Sequence, residues 1–408
     1  MQLCRQNCLI SHTCFTKQFL FLPQTLAFFV AASEIIPFNQ PFTIGNELAY
    51  MQDAVQRGKI SGDGFYTKQC QFFLQNRYGF KKALLTTSCT DALEMAAILA
   101  EIQPGDEVIL PAFTFVSTAN AFVLRGARPV FADVDPLTLN LDVAKLESLI
   151  SEKTKIIVPV HYAGISCDMD QLLEIAKAKN LLVVEDAAQA LDAKYKGRPL
   201  GSLGNLAAFS FHETKNVMCG EGGALAVNDA NFLERAEIIR EKGTNRAAFF
   251  RGEAAKYDWL DVGSSFLPSD LNAAYLLAQL ENLETIQQQR LKLWNTYYKE
   301  LKPLADAGKL QLPFVPDYAT NNAGLFYLLC RTPEKRTALL AHLKAQGIMA
   351  VFHYLPLHES PYYLKHYPKV SLPVTENAAR RLVRLPFYFN LTENQQSRIL
   401  EAIRKFYT

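Results

Sequence analysis

The stretch Phe209-Ser-Phe-His-Glu-Thr-Lys215, followed at a short distance by Cys219-Gly-Glu-Gly-Gly223, carries the reading on which the fold turns. An apolar strand over 207–211 ends on polar residues, and a lysine follows. A glycine cluster then permits close approach of backbone before a second strand at 224–227. This context suits a reactive amine held at the edge of a sheet. A surface lysine in a hairpin loop satisfies the same local pattern, so the rest of the chain has to separate the two.

Upstream, apolar strands at 83–87, 107–111, 129–133, 155–160 and 181–185 alternate with helical stretches at 92–100, after Phe113-Thr-Phe-Val-Ser-Thr, at 143–150 and at 169–178. Such alternation predicts an α/β fold with a mostly parallel, helix-covered sheet, whose ligands bind at the carboxyl ends of the strands. Phe115, His161, Asp186 and Lys215 all fall at or just after such ends. Ser88-Cys89-Thr90-Asp91 starts a helix; its hydroxyls and free amides suit either an anion or simple capping. Asp186 closes the apolar run Leu-Leu-Val-Val-Glu-Asp. A carboxylate and an amine converging on one cavity suggest pyridoxal 5'-phosphate, with Asp186 keeping the pyridine nitrogen protonated and Lys215 forming the Schiff base. An ordinary salt bridge, or two unrelated loop charges, is the alternative.

Toward the N-terminus, a helix over 45–57 carries Leu48, Met51 and Val55 on one face, and a helix over 68–78 carries Phe72 and Phe73. Between them lies the turn-rich Ser61-Gly-Asp-Gly. Past Lys242 the periodicity lapses into a loop over 246–268, and a long helix is expected over 269–301. A smaller α+β unit follows, with strands at 325–330 and 349–353, a helix at 334–346, loops at 353–358 and 362–367, and a closing helix at 393–406. The expected division is an N-terminal extension over 1–35, a large domain over 36–270 and a smaller C-terminal α+β domain over 271–408.

Of the 408 residues 49% are apolar and 20% charged, and the net charge is only +2, which points to neither nucleic acid nor a membrane surface. The eight cysteines include no Cys-x-x-Cys pair, and no histidine cluster has metal-ligand spacing, so no metal is expected and the thiols read as reduced in a cytoplasmic protein. The first 34 residues hold no acid before Glu34 and an apolar run over 19–32 broken by Pro23 and Gln24. A non-native upstream extension, a leader ending near Ala-Ala-Ser and a docking segment all remain open for them. No Gly-x-x-x-x-Gly-Lys-Ser/Thr occurs, and Gly220-Glu-Gly-Gly does not fit Gly-x-Gly-x-x-Gly.

Ser61-Gly-Asp-Gly, Pro159-Val-His-Tyr-Ala-Gly, Glu185-Asp-Ala-Ala-Gln-Ala, Ser210-Phe-His-Glu-Thr-Lys-Asn and Cys219-Gly-Glu-Gly-Gly-Ala, in that order, resemble the DegT/DnrJ/EryC1/StrS sugar aminotransferases over 36–408. The resemblance implies a pyridoxal-phosphate transferase of fold type I, acting as a homodimer with shared active sites. It implies Lys215 as Schiff-base lysine and proton carrier, Asp186 on the pyridine nitrogen and Gln189 on the ring's phenolic oxygen. Phe115 is then the stacking aromatic, and Ser88, Cys89, Thr90 and Ser210 hold the phosphate. A lysine rather than a histidine at 215 implies transamination rather than dehydration. The family's Tyr-Asn-x-x-Asp pattern, whose Asn meets the partner subunit's phosphate, appears here as Phe266-Leu-Pro-Ser-Asp, leaving Ser264 or Ser265 as substitutes. Ile36-Pro-Phe-Asn, Cys219 and His353-Tyr-Leu-Pro-Leu-His358 resemble the branch that moves an amine from L-glutamate to the 4-keto carbon of dTDP-4-keto-6-deoxy-D-glucose in surface polysaccharide synthesis of the enterobacterial common antigen type. Another nucleotide keto sugar as substrate, and a non-catalytic regulator that keeps the cofactor, are the rival expectations. The loops around 61–66, 246–251 and 353–358 are the candidate sugar contacts; His353 and His358 fit a structural role equally well.

Overall fold

Short runs of β-branched and aliphatic residues give the strands β1 (Lys82–Thr86), β2 (Glu107–Pro111), β3 (Arg128–Ala132), β4 (Thr154–Ile157), β5 (Leu182–Asp186), β6 (Lys194–Tyr195), β7 (Arg198–Pro199), β8 (Leu206–Ser210), β9 (Gly223–Val227), β10 (Leu310–Gln311), β11 (Tyr327–Cys330) and β12 (Leu382–Arg384). They belong to a computed structural model that describes residues 35–408; the expected extension lies, but for Ile35, outside the described residues. Seven of these strands form one sheet in the order β1-β9-β8-β5-β4-β2-β3. Neighbours from β8 to β3 pair parallel, and β9 alone runs antiparallel between β1 and β8. The carboxyl ends of six strands therefore share one edge with the start of β9.

Alternate strand residues feed two cores. Leu85, Ile109, Val183 and Phe209 face one layer of helices, while Leu84, Val108, Leu110 and Val184 face the other. Burial on both faces explains why these strands read as continuous apolar runs. A separate core surrounds the antiparallel sheet β10-β11-β12, where Leu328 and Val383 meet Leu339 and Leu343 of the helix Pro333–Ala345 and Ile399 and Ile403 of the helix Glu393–Tyr407. The latter helix starts on a full capping box between Thr392 and Gln395.

Several local expectations change. The helix Glu47–Gln56 forms, but Leu48 and Val55 are 71% and 58% exposed while Glu47 is buried. The reason is polar: the Glu47 carboxylate accepts the Ile44 and Gly45 amides and the Gln279 side chain, which turns the other side of the helix outward. Phe72 is likewise 62% exposed. The long helix over 269–301 is two helices, Asp270–Glu281 and Leu283–Asp306, parted at Asn282. The stretch 143–150 is a 3-10 helix, Val143–Leu149. The loops at 246–268 and 362–367 contain the short helices Arg246–Phe250 and Pro361–His366. No strand forms over 349–353; only Val351 bridges to Arg384.

Candidate active site

Lys215 owes its position to the hairpin that joins β8 to β9. Phe211 N–H donates to Gly222 O and Cys219 N–H to Phe211 O, and Lys215 N–H reaches back to His212 O. The next residue, Asn216, anchors the turn by donating to Gln287 and to the Asn322 carbonyl, both at 2.8 Å. Glycine is required here for a packing reason. A β-carbon on Gly223 would lie 2.3 Å from the Ser88 carbonyl carbon and 2.5 Å from the Cys89 nitrogen, so β9 can begin against the helix Cys89–Leu99 only without a side chain. The glycine cluster thus seats the hairpin on that helix.

A cavity of about 520 Å³ opens along this sheet edge. Ser88, Cys89, Thr90, Phe115, Asp186, Gln189, Ser210 and Lys215 all line it, so the eight residues expected at one site do converge. Asp186, at the end of β5, is buried and accepts Thr118 Oγ1 at 2.7 Å and the Ala188 amide at 3.1 Å. Thr118 in turn bonds Thr114 at 2.8 Å. Gln189 Oε1 accepts the Ala163 amide at 2.7 Å, and its Nε2 donates to Tyr354 Oη at 3.0 Å. Ser88 caps the helix Cys89–Leu99 by accepting the Asp91 amide, and Thr90 bonds Ser117. Phe115, at the start of the helix Val116–Val123, is 57% exposed although it lines the cavity, which leaves an aromatic face open to whatever enters. Below the floor, the buried Glu185 carboxylate accepts the Gly201, Leu203 and Gly204 amides and pairs with His161 Nε2 at 2.9 Å.

The electrostatics weaken the hold of the Lys215 amine on its proton. Burial pushes the Lys215 ammonium below its ordinary value; the Arg384 charge adds to this while Asp186 opposes it. Burial likewise pushes the Cys89 thiol well above its ordinary value, so it stays protonated and contributes no thiolate. His353 falls to about 4 through burial and the charges of Arg384 and Lys215, and its ring is neutral.

The cavity wall also holds residues that sequence reasoning did not single out: Thr118, Asn322 and Arg384. Two signals were present, the hydroxyls Thr114 and Thr118 four residues apart across the helix start and a lone arginine in the apolar run Leu382-Val-Arg-Leu385. Of the three loops expected to touch substrate, only 353–358 reaches the cavity, through His353 and Tyr354. His358 is buried elsewhere against Glu376 at 3.3 Å. Ser61-Gly-Asp-Gly is instead locked to the sheet edge: Asp63 pairs with buried Arg240 at 2.8 Å, and Asp270 accepts the Tyr66 and Thr67 amides. Within one chain, neither that loop, nor 246–251, nor Ser264, Ser265 and Leu267 lines the cavity.

The model of the DegT/DnrJ/EryC1/StrS aminotransferase family matches residues 43–404. The spore coat polysaccharide biosynthesis protein SpsC of Bacillus subtilis is 34% identical over 383 residues, covering 91% of this chain and 97% of that protein. A pleiotropic regulatory protein of Geobacillus stearothermophilus is 35% identical over 364 residues, covering 88% and 94%. Among solved structures, Spr1654 of Streptococcus pneumoniae, described as a sugar aminotransferase and solved in its PLP and PMP forms, superposes with a TM-score of 0.84 at 26% identity in the PLP form, covering 91% of this chain and 98% of that one.

Proposed function

The chain belongs to the DegT/DnrJ/EryC1/StrS aminotransferase family, and from that premise we propose that it carries the amino group of L-glutamate to the 4-keto carbon of dTDP-4-keto-6-deoxy-D-glucose. The product is dTDP-4-amino-4,6-dideoxy-D-galactose, for a cytoplasmic step of surface polysaccharide synthesis of the enterobacterial common antigen type. The chain is an aminotransferase with an α/β fold, and pyridoxal 5'-phosphate is its cofactor. The observation that carries the reading is a buried lysine amine, pushed toward neutrality, on one cavity wall with a buried aspartate and a helix N-terminus. The motifs around residues 36–39, 219 and 353–358 support the choice of sugar.

The donor set fits the cofactor. Asp186, fixed by Thr118 and Ala188, is a carboxylate able to hold a ring nitrogen protonated. The first turn of the helix Cys89–Leu99, with Ser88, Thr90 and Ser210, offers amides and hydroxyls to a phosphate. Gln189 would be the partner for the phenolic oxygen, and the face of Phe115 would cover the ring. When bound, the cofactor supplies an electron sink for the carbon that gains or loses the amine. Lys215 would be the residue that links it covalently, and its amine, once released, would be the group that accepts and returns a proton; a neutral amine is the form that can accept one. Residues 36–270 act as the large cofactor-holding domain and 271–408 as the smaller domain.

The proposal includes a homodimer with shared sites, which the outward apolar residues support. Leu48 and Val55 lie two turns apart on one helix face, and Phe250 and Trp259 are 71% and 81% exposed. Isolated exposed hydrophobics need no explanation, but Leu48 and Val55, turned outward while Met51 of the same stripe packs on the core, present a surface for a second copy.

The test is a pair of half reactions on the purified holoenzyme. L-Glutamate should discharge the visible absorbance of the bound cofactor, and dTDP-4-keto-6-deoxy-D-glucose should restore it, with the aminated sugar identified by mass. Lys215→Ala should lose both. Turnover with a UDP-linked keto sugar alone would move the reading to another sugar; absence of any response to either sugar would favour a regulator.

A further inference from the structure

The segment Asn322-Ala-Gly324, between the helix Leu283–Asp306 and β11, has no regular structure, yet its hydrogen bonds reach both turns that carry the site. Asn322 is buried. Its Nδ2 donates to the carbonyls of Gln189 at 2.7 Å and Leu191 at 2.9 Å, and its Oδ1 accepts the Gly324 amide at 3.0 Å. The reverse orientation of the amide would set an oxygen against two carbonyls, so this one is fixed. Both N–H bonds and the oxygen of the side chain are thereby committed. Its main-chain carbonyl accepts Asn216 Nδ2, the anchor of the Lys215 turn, at 2.8 Å. From the other side Arg290, buried and without an ion pair among the described residues, donates to the carbonyls of Ala323 at 3.0 Å and Gly324 at 2.8 Å. A β-carbon on Gly164 would lie 1.7 Å from Asn322 Oδ1, so the chain that passes this amide must be glycine there.

We infer that Asn322 is the positioning residue that sets Lys215 against Gln189. The inference rests on the transamination reading above. Lys215 and Gln189 stand on different turns, one after β8 and one after β5. The β5–β8 ladder ends at Asp186 and Ala208, with one more bond from the Ala187 amide to Ala208 O. Past that point the two turns are joined through Asn322, whose side chain holds the Gln189 carbonyl and whose main chain holds Asn216 beside Lys215. Gln287 and Arg290, one turn apart on the helix Leu283–Asp306, hold Asn216 and the segment 322–324 from the same helix face. Asn322 lines the cavity, but its side-chain atoms are spent on protein and offer nothing to a substrate, so it acts through its neighbours. Asparagine is the side chain that fits. Aspartate of the same shape would set a carboxylate against two carbonyls, and leucine would leave both carbonyls buried without donors.

The experiment compares the holoenzymes of wild type, Asn322→Ala, Asn216→Ala and the double variant. One readout needs no turnover: the pH midpoint of the bound cofactor's visible absorbance. Loosening Gln189 withdraws a donor from the phenolic oxygen, so in Asn322→Ala this midpoint should rise by about one unit. In the donor half reaction the rate constant at saturating L-glutamate should fall about 10- to 100-fold in each single variant, the cost of misplacing reacting groups by an ångström or less. The half-saturating glutamate concentration should stay within about 3-fold, because donor binding is untouched. The double variant should be no slower than Asn322→Ala by more than about 3-fold, since both substitutions break one link. Ile399→Val, in the core around the C-terminal sheet, controls for lost stability: it should lower the melting temperature and leave midpoint and rate constant unchanged. Asn216→Ala, which keeps the Asn322 side chain, carries the rate test if Asn322→Ala does not fold. Variants that melt earlier but keep the wild-type midpoint and rate constant overturn the assignment and leave transamination standing. Rate losses that multiply in the double variant overturn it as well. Wild-type enzyme whose spectrum ignores glutamate overturns the transamination reading on which the assignment rests.

Discussion

His353 shows how one residue records its surroundings. Its ring packs edge-on to Phe38 and stacks on Tyr354, with Nδ1 committed to Arg384. Burial, with the charges of Arg384 and Lys215, lowers its pKa from 6.5 to about 4. In that window the unfolded chain binds the proton that the folded chain refuses, so this group's contribution makes stability fall as the pH drops from 6.5 through 4. His353→Gln removes the titration. Thermal melts at constant ionic strength should therefore show the variant gaining on wild type as the pH falls from 7 to 4; a difference that stays flat across that range would refute the account. Legibility at this scale follows from chain geometry. Lys215 and Asp186 could be found because Asp186 closes an apolar strand and Lys215 follows one within a few residues, and strand ends of a parallel sheet share an edge. Arg384 could not, because its place in the cavity depends on how β12 and the bridged Val351 bring the C-terminal sheet to the mouth, which is a tertiary fact with no local pattern.

At the scale of elements, the site depends on one close approach, the start of β9 against the start of the helix Cys89–Leu99. Two glycines in the same cluster separate packing from conformation. Gly223→Ala would put a methyl against Ser88 and Cys89 backbone that cannot retreat, and it should cost about 3 kcal/mol and weaken cofactor binding at least about 10-fold as the helix start is displaced. Gly220 has φ +81° and open space around it, so Gly220→Ala should cost only about 1–2 kcal/mol of backbone strain and leave cofactor affinity alone. Urea midpoints with absorbance titrations distinguish the two; equal effects on cofactor binding would mean that the hairpin, rather than the helix contact, sets the site. The alternation of strand and helix was legible because both sheet faces are buried and each strand is a plain apolar run. The orientation of the helix Glu47–Gln56 was not, because Glu47, a residue that periodicity counts as surface, is consumed by amide capping and Gln279, and this overrides the apolar stripe.

For the whole molecule, that reversed helix becomes informative. Leu48 and Val55, which sequence periodicity assigns to a core and one chain leaves in solvent while Met51 packs inward, are accounted for if a second copy covers them. The same assembly would give the expected substrate loops at 61–66 and 246–251, which miss the cavity of their own chain, a neighbour's cavity to reach. Light scattering should accordingly find wild type at twice the chain mass. Leu48→Glu combined with Val55→Glu would bury two unpaired carboxylates at the contact while leaving the core of each chain untouched, since both side chains are exposed in the single chain. The double variant should shift to monomer with an unchanged far-ultraviolet circular dichroism spectrum, and its donor half reaction should fall with the dimer fraction if the sites are shared. A dimer that survives both charges places the contact elsewhere, and a monomer that keeps full activity shows that each chain builds its site alone.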